Sequence, residues 1–230
     1  MFDTKTAKQR KVKIKICGLA NIDDINACAQ LNVDALGFLL NEQESEGHLD
    51  KLSLRDAAAL VRIVPKHVAS VILIKDTDIT SILKKIDYVR PDAVQLQHPD
   101  LNSDKVKELT AFLPSVEFIK TLRVNDQISL SQLLKETDLI MQSADAILLD
   151  SIKGGSGLAH NWVNSANIVD HCASNDFPVI LAGGLNLENV PDAITKVKPF
   201  MLDIMSGMSK SKGVKDILKI EKLIQHLEGL

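Results

Sequence analysis

The chain has 230 residues, of which 45% are hydrophobic and 25% are charged, and its formal net charge is −3. This length is enough for a sizeable core, and the small negative charge argues against a nucleic acid or an anionic membrane surface as the partner. No segment approaches the ~18 consecutive apolar residues of a membrane helix, and the basic opening lacks the apolar stretch of a signal peptide. The three cysteines are widely spaced and match no metal-ligand pattern, which indicates a reduced, cytoplasmic compartment.

Short runs rich in β-branched residues or leucine alternate along the chain with longer stretches of helical period. The predicted strands are Lys13–Cys17, Ala35–Leu40, Ala69–Ile74, Ala93–Gln97, Glu117–Leu122, Ala146–Asp150, Val179–Ala182 and Met201–Met205. Between the strands, apolar residues recur at the 3.6-residue spacing of an amphipathic helix, most clearly over Asp78–Val89 and Val214–Leu227. Asn21, Ser53 and Asp78 are predicted helix N-caps.

This alternation favours a closed barrel over an open sheet. Eight β–α units follow one another without a long linker or a change in composition, whereas an open doubly wound sheet usually has about five to seven strands. We therefore predict a single (β/α)8 TIM barrel of the α/β class over residues 13–230, preceded by an N-terminal extension over residues 1–12. In this fold, catalytic side chains lie at the carboxyl ends of the strands and in the loops that follow them.

Polar side chains at the predicted strand ends point into the barrel. Because side chains alternate between the two faces of a strand, the apolar face of the first strand belongs to the helix layer, and Lys15 and Cys17 face the barrel axis. The same alternation directs Gln95, Asp150 and Asp203 inward. A buried charge needs a partner, so Lys15 is either a structural ion-pair partner of one of the aspartates or a functional cation. A single cysteine is usually a small buried hydrophobe, but the convergence of five such residues favours a functional site.

Glycine-rich segments follow the last three predicted strands. "GGSG", which includes Gly155, follows the sixth; "AGGLN", with Gly183 and Gly184, follows the seventh; and "SGM", with Ser206 and Gly207, follows the eighth. Glycine lets backbone N–H groups approach an anion closely, and the loops after strands seven and eight form the recurrent phosphate site of these barrels. Tight turns alone also use glycine, but this placement predicts that a small phosphorylated molecule binds here.

Five segments between Lys13 and the C-terminus follow one another in order and form a recognisable set. They read "KICGLANIDDINACAQLNVDALGF", "AVQLQ", "ILLDS…GGSG…W", "LAGGLNLENVPDAI" and "LDIMSG…GVKDILKIEKLI". Together they resemble the phosphoribosylanthranilate isomerase family of tryptophan biosynthesis, with K-I-C-G and A-G-G-L-N-x-E-N-V as the most specific motifs. The resemblance implies a (β/α)8 barrel that converts an N-linked phosphoribosyl amine into an aminoketose by an Amadori rearrangement, without a metal ion or an organic cofactor.

The resemblance also implies roles for individual residues. Cys17 matches the family's base, which removes the proton from C2′, and Asp150 matches its acid, which protonates the furanose ring oxygen. Asp203 and Gln95 match residues near the substrate, and together with Lys15 they are the predicted substrate-binding residues. The glycine and serine residues after strands seven and eight match the phosphate-binding loops. The chemistry agrees, because Lys15 is placed to favour the Cys17 thiolate and Asp203 to raise the pKa of Asp150.

The segment after the second strand departs from the family pattern. The family carries an arginine there that receives the anthranilate carboxylate, whereas this chain reads "NEQESEGHLDKLSLRDA" without one at the matching place. His48, Lys51 and Arg55 are the cations nearby, although Arg55 falls in the predicted helix. The leading hypothesis is therefore phosphoribosylanthranilate isomerase, and the alternatives are a related isomerase of another phosphoribosyl amine and a catalytically silent barrel that binds a phosphorylated metabolite. A monomer or a homodimer is expected.

Overall fold

Parallel strands and helices alternate along the chain in the structure, a computed structural model that describes residue 1 and residues 12–41, 51–125, 127–151 and 162–229. The barrel strands are β1 Lys13–Cys17, β2 Ala35–Leu40, β3 Ala69–Ile74, β4 Ala93–Leu96, β5 Glu117–Val124, β6 Ala146–Ser151, β7 Val179–Leu181 and β8 Met201–Ile204. The helices in the described ranges are α1 Ile22–Gln30, α2 Leu54–Arg62, α3 Ile79–Val89, α4 Ser103–Phe112, α5 Leu130–Met141, α6 Trp162–Ala173, α7 Val190–Val197 and α8 Ile217–Glu228.

The eight strands form a closed barrel. They pair in parallel with their neighbours in sequence, and β1 pairs with both β2 and β8. The predicted (β/α)8 barrel is therefore confirmed. Its strands could be recognised in the sequence because parallel strands are buried on both faces and appear as continuous apolar runs. No helix in the described part of the chain is long and apolar enough to cross a membrane.

Two apolar clusters divide the core. The larger one lies between the strands and the helices and includes Ile14 and Ile16 of β1. The smaller one fills the barrel interior and consists of Ala35, Val71, Ala93, Ile119, Ala146, Leu148, Ile180, Ala182 and Met201. The predicted alternation is confirmed by this division, because Leu148 of the inner cluster shares its strand face with Asp150. The polar inward residues lie above this cluster, toward the carboxyl ends of the strands.

The amino-terminal end of the barrel is covered by Met1, which packs against the inner cluster. The Met1 ammonium pairs with Glu117 Oε1 at 3.1 Å, and the Met1 carbonyl accepts a hydrogen bond from Lys13 Nζ at 2.7 Å. Lys13 Nζ also lies 4.9 Å from the centroid of the Phe200 ring. All three partners lie at or just before the beginning of a strand, so this end of the barrel is closed opposite the candidate site.

Local capping fixes where the helices begin. The predicted N-caps Asn21, Ser53 and Asp78 accept hydrogen bonds from the backbone N–H groups three residues later and are confirmed. The last helix begins later than its apolar pattern indicated, because Asp216 caps it. Val214–Lys215 instead forms a short antiparallel ribbon with Ser209–Ser211.

Candidate active site

A buried lysine links three strands in the upper half of the barrel. Lys15 Nζ donates to Gln95 Oε1 at 2.7 Å and to Asp203 Oδ2 at 2.8 Å, and the residue is 0% exposed. The strand register places Lys15 of β1 opposite Asp203 of β8. Burial opposes the charge on Lys15, but the carboxylate of Asp203 and the thiol of Cys17 outweigh it, so the pKa of Lys15 is raised. Of the two aspartates considered as its partner, Lys15 pairs with Asp203.

Cys17 lies at the carboxyl end of β1 and is only 2% exposed. Burial raises the pKa of the thiol to about 11, although the charges of Lys15 and Lys215 act in the opposite direction. Lys15 therefore favours the thiolate as expected, but burial has the larger effect. Gly37 lies opposite Cys17 in the register of β1 and β2, and a Cβ atom at Gly37 would lie 2.7 Å from Cys17 Sγ. The thiol thus occupies space that only glycine leaves open.

Asp150 lies near the carboxyl end of β6, beside an arginine. Its Oδ2 accepts a hydrogen bond from Arg123 Nη1, and its Oδ1 accepts one from the backbone N–H of Ser151 at 2.8 Å. Burial raises the pKa of Asp150, Arg123 opposes this shift, and the charge of Asp203 adds to it. The direction expected for an acid near a second carboxylate is therefore present, together with a cation that counteracts it.

Arg123 was not predicted as a site residue because the sequence placed the end of β5 too early. The strand continues to Val124, two residues beyond the predicted end at Leu122, and Arg123 lies opposite Asp150 in the register of β5 and β6. Arg123 Nη1 also donates to the carbonyl of Ser151 at 3.0 Å. Continuing the alternation of the strand beyond Leu122 would have found Arg123.

A second unpredicted residue, Lys215, approaches Cys17 from the loop after β8. Lys215 is 2% exposed, and its Nζ donates to the carbonyl of Met205 at 3.3 Å and to Ser209 Oγ at 3.0 Å. Its backbone N–H donates to Asp24 Oδ2 at 2.8 Å. Burial lowers the pKa of Lys215, and its charge lowers that of Cys17. The "GVKD" segment contained this lysine, but its position depends on the ribbon that follows β8.

The glycine-rich loops after β7 and β8 lie against each other and beside Asp150. Gly183 and Gly184 have φ of 85° and 68°, in the left-handed region. A Cβ at Gly183 would lie 2.9 Å from Asp150 Oδ1, and one at Gly207 would lie 2.1 Å from the carbonyl oxygen of Leu185. Ser206 begins a 3₁₀ turn, Ser206–Met208. The structure therefore brings together the phosphate-loop candidates after β7 and β8, whereas Gly155 and His48 lie outside the described residues.

Two asparagines shape the loop after β7. Asn189 Oδ1 accepts from the backbone N–H of Asn186 at 2.9 Å, and Asn186 Oδ1 accepts from those of Glu188 and Asn189, each at 3.0 Å. Asn189 Nδ2 also donates to the carbonyl of Gly184 at 2.9 Å. The A-G-G-L-N-x-E-N motif thus folds through its own side chains, which fixes the direction of the Gly183–Gly184 backbone.

Several buried polar atoms have no hydrogen-bond partner among the described residues. They are Thr121 Oγ1, Ser151 Oγ, Asp203 Oδ1 and Trp162 Nε1. The first three belong to β5, β6 and β8, which also carry Arg123, Asp150 and the ion pair with Lys15. Thr121 and Asp203 lie on the inward faces of their strands; because buried polar groups are almost always hydrogen-bonded, Thr121 Oγ1 and Asp203 Oδ1 are candidates to bond a polar ligand.

The arrangement is suited to acid–base chemistry on a phosphorylated molecule. A thiol and a carboxyl group reach the same barrel mouth from β1 and β6, which are not adjacent, so a substrate can lie between them. The paired glycine loops lie next to the carboxyl group. In the ranges that the structure describes, no three His, Cys, Asp or Glu side chains cluster as a metal site would require.

Comparison with known proteins gives a consistent result. A family model described as N-(5'phosphoribosyl)anthranilate (PRA) isomerase matches residues 14–226. The chain is 34% identical to the N-(5'-phosphoribosyl)anthranilate isomerase of Methanosarcina acetivorans, over 97% of this chain and 96% of the relative. It is 33% identical to that of Methanocella arvoryzae, over 94% and 97% of the two chains.

Solved structures of the same kind of enzyme share the fold. The phosphoribosyl anthranilate isomerase of Thermotoga maritima superposes with a TM-score of 0.79 at 28% identity, over 95% of this chain and 100% of that one. A phosphoribosyl anthranilate isomerase in complex with reduced 1-(o-carboxyphenylamino)-1-deoxyribulose 5-phosphate superposes with a TM-score of 0.75 at 26% identity, over 95% and 100% of the chains.

Proposed function

The chain belongs to the N-(5'-phosphoribosyl)anthranilate isomerase family, and we propose that it converts N-(5'-phosphoribosyl)anthranilate into 1-(2-carboxyphenylamino)-1-deoxyribulose 5-phosphate in tryptophan biosynthesis. This reaction is an isomerisation of an aldose to a ketose. The observation that carries the proposal is the presence of Cys17 and Asp150 at one barrel mouth, beside the glycine loops after β7 and β8.

In the first step, Asp150 acts as the general acid. Its protonated carboxyl group donates a proton to the furanose ring oxygen, the bond between this oxygen and C1′ breaks, and a protonated Schiff base forms. An acid must hold its proton at the working pH. The raised pKa of Asp150, caused by burial and by the charge of Asp203 against the effect of Arg123, supports this role.

In the second step, Cys17 acts as the general base. The thiolate removes the proton from C2′, the electron pair forms the C1′–C2′ double bond, and the positive charge on the nitrogen is neutralised. The enolamine then loses its hydroxyl proton and gains one at C1′ to give the ketone. Burial holds the Cys17 pKa near 11 in the free site, so the cationic Schiff base must itself favour the thiolate, as a nearby positive charge does.

The remaining polar residues hold the substrate. Asp203 has one carboxylate oxygen on Lys15, and its Oδ1 has no partner among the described residues, so it is free for a sugar hydroxyl. Lys15 holds this carboxylate and favours the Cys17 thiolate, and Gln95 accepts a hydrogen bond from Lys15. The backbone N–H groups around Gly183, Gly184, Ser206 and Gly207, with Gly155, bind the phosphate.

We further propose that residues 13–230 form the catalytic domain, with residues 1–12 as an extension, and that the enzyme acts in the cytoplasm. A small phosphorylated molecule is its partner. The chain is a monomer or a homodimer; one related structure is described as monomers generated from a dimeric enzyme of Thermotoga maritima.

Turnover of freshly prepared N-(5'-phosphoribosyl)anthranilate, followed by fluorescence, tests the proposal. The wild-type chain should convert it, and Cys17→Ala and Asp150→Asn should each lower kcat by at least about 10²-fold, as expected for loss of a general acid or base. Unchanged turnover in both variants would contradict the mechanism. Absence of turnover by the wild type would contradict the substrate and favour another phosphoribosyl amine, a possibility motivated by the missing arginine after β2.

A further inference from the structure

The guanidinium of Arg123 is only partly used within the site. Arg123 faces the barrel mouth from β5, its side chain is 34% exposed, and it pairs with Asp150. Among the described residues, both of its hydrogen bonds start from Nη1, one to Asp150 Oδ2 and one to the carbonyl of Ser151. A guanidinium offers five N–H donors in a planar fork, so several donors of this partly exposed group have no partner among the described residues.

The proposed substrate brings a carboxylate that needs a cation. The segment after β2 lacks the arginine expected to meet it. Of the cations that the structure describes around Cys17 and Asp150, Lys15 is 0% exposed and bonded to Asp203, and Lys215 is 2% exposed and bonded to Met205 and Ser209. Among these described cations, Arg123 is the one that combines an inward direction with exposure.

We propose that Arg123 binds the carboxylate of the anthranilate ring, in place of an arginine from the loop after β2. This inference rests on the proposed function. The anthranilate nitrogen is attached to C1′, next to the ring oxygen that Asp150 protonates, so the ortho carboxylate lies only a few bonds from that oxygen. The cation that receives it must therefore lie near Asp150, as Arg123 does. The fork of an arginine matches a carboxylate in a bidentate manner.

This placement couples recognition of the substrate to the acid. In the free site, Arg123 lowers the pKa of Asp150, whereas burial and Asp203 raise it and the backbone N–H of Ser151 lowers it. A substrate carboxylate on the other donors of the guanidinium neutralises part of its charge and brings a negative charge close to Asp150. Both effects oppose the influence of Arg123, so Asp150 retains its proton more firmly. Binding of the correct aromatic acid thus keeps the Asp150 carboxyl group protonated, ready to donate its proton to the ring oxygen.

The test compares two ligands that differ only in the carboxylate. Reduced 1-(o-carboxyphenylamino)-1-deoxyribulose 5-phosphate and its phenyl counterpart without the carboxyl group are titrated calorimetrically into wild type and Arg123→Gln. We expect the variant to bind the carboxylated ligand about 10- to 100-fold more weakly, the range of a lost charge-assisted hydrogen bond, and to bind the phenyl ligand within about 2-fold of wild type. Arg123→Lys keeps the positive charge but not the planar fork, so its affinity for the carboxylated ligand should fall less than that of Arg123→Gln.

Matched controls identify the source of any effect. Arg55→Gln and Lys51→Gln remove the first two described cations after β2 and should leave the binding of both ligands unchanged. Equal weakening of both ligands by Arg123→Gln would assign Arg123 a structural role and overturn the inference. Weakening of the carboxylated ligand by the Lys51 or Arg55 variant, but not by Arg123→Gln, would overturn it as well. Turnover by the wild type tests the proposed function separately, so the failure of one does not imply the failure of the other.

Discussion

The Cys17 thiol is surrounded by groups that act on its proton in opposite directions. Burial disfavours the thiolate, and Lys15 and Lys215 favour it from two sides without overcoming burial. A thiol with a pKa near 11 is almost entirely protonated at neutral pH. The base that we propose is therefore protonated in the free site, and a thiol is less reactive toward small electrophiles than a thiolate.

Catalysis should be sensitive to a single methyl group added beside the Cys17 thiol. Gly37→Ala would place a Cβ 2.7 Å from Cys17 Sγ, so the thiol must move away from the substrate. We expect kcat to fall by about 10²-fold, as a displacement near 1 Å does elsewhere. Steady-state kinetics measure this.

Gly229→Ala is the matched control for this substitution. Its Cβ would meet its nearest neighbours at an ordinary 3.6 Å, and activity should be unchanged. Activity of Gly37→Ala within a few-fold of wild type, in a protein that melts normally, would mean that the thiol position is not set by Gly37.

Much of the site could be predicted at the level of single residues. Alternation correctly turned Lys15, Gln95 and Asp203 toward the barrel axis, because a buried parallel strand leaves little freedom in side-chain direction. Alternation does not predict how burial and the neighbouring charges together set the pKa of a side chain. The pKa of Cys17 depends on burial by the whole barrel and on Lys215, which is 198 positions farther along the chain.

Among the elements, the end of β5 was the hardest to predict. No glycine or proline follows Leu122, so the sequence contains no signal that ends the strand there. The strand continues through Arg123, and two further residues bring a guanidinium into the site. Strand ends are where catalytic side chains lie in this fold, so an error of two residues in a boundary hid the cation that we assign to the substrate carboxylate.

The asparagine side chains that hold the loop after β7 in shape should affect the affinity for the phosphate group. Asn189→Ala removes the bonds to Asn186 N–H and to the carbonyl of Gly184, each worth about 1 kcal/mol. We expect KM for the phosphorylated substrate to rise about 10-fold, with a smaller change in kcat, because we propose that the loop holds the phosphate and not the reacting atoms. Initial-rate kinetics distinguish the two parameters.

The neighbouring Glu188 offers a control. Its side chain is exposed, and only its backbone N–H takes part in the loop network. Glu188→Ala should therefore leave KM unchanged. If Asn189→Ala also left KM unchanged, the loop after β7 would not depend on this network for phosphate binding.

At the scale of the whole molecule, the fold followed from the count and type of units. Eight apolar strands separated by helices favour closure, and the pairing of β1 with β8 completes it. The covering of the opposite end by Met1 could not be foreseen, because it depends on contacts with Glu117 and Lys13 that no local pattern specifies.

Three buried thiols make the stability of the barrel sensitive to alkaline pH. Burial raises the pKa values of Cys17 and Cys172 to about 11 and that of Cys28 to about 12, above an ordinary value of 9.0. Unfolding therefore releases protons above about pH 9. This stabilisation is complete below pH 9 and is lost as the pH rises toward the folded-state pKa values.

Urea unfolding at a series of pH values tests this with a double variant, Cys28→Ala/Cys172→Ala. The free energy of unfolding of the wild type should decrease more steeply than that of the variant between about pH 9 and pH 11, because the wild type carries the two additional buried thiols. Burial lowers the Lys120 pKa to about 8, which produces the opposite trend in both proteins and cancels in the difference. Parallel curves for the two proteins would contradict the prediction.

The contact between the loops after β7 and β8 has a consequence for recombination between barrels. Because the backbone at Gly207 lies against the Leu185 carbonyl, with room for no side chain, neither loop can change its path without displacing the other. A chimera that takes one of these loops from a distantly related barrel would place two loops in contact whose shapes do not match. The smallest segment that can be transplanted intact therefore runs from the end of β7 through the turn after β8, with α7 between them.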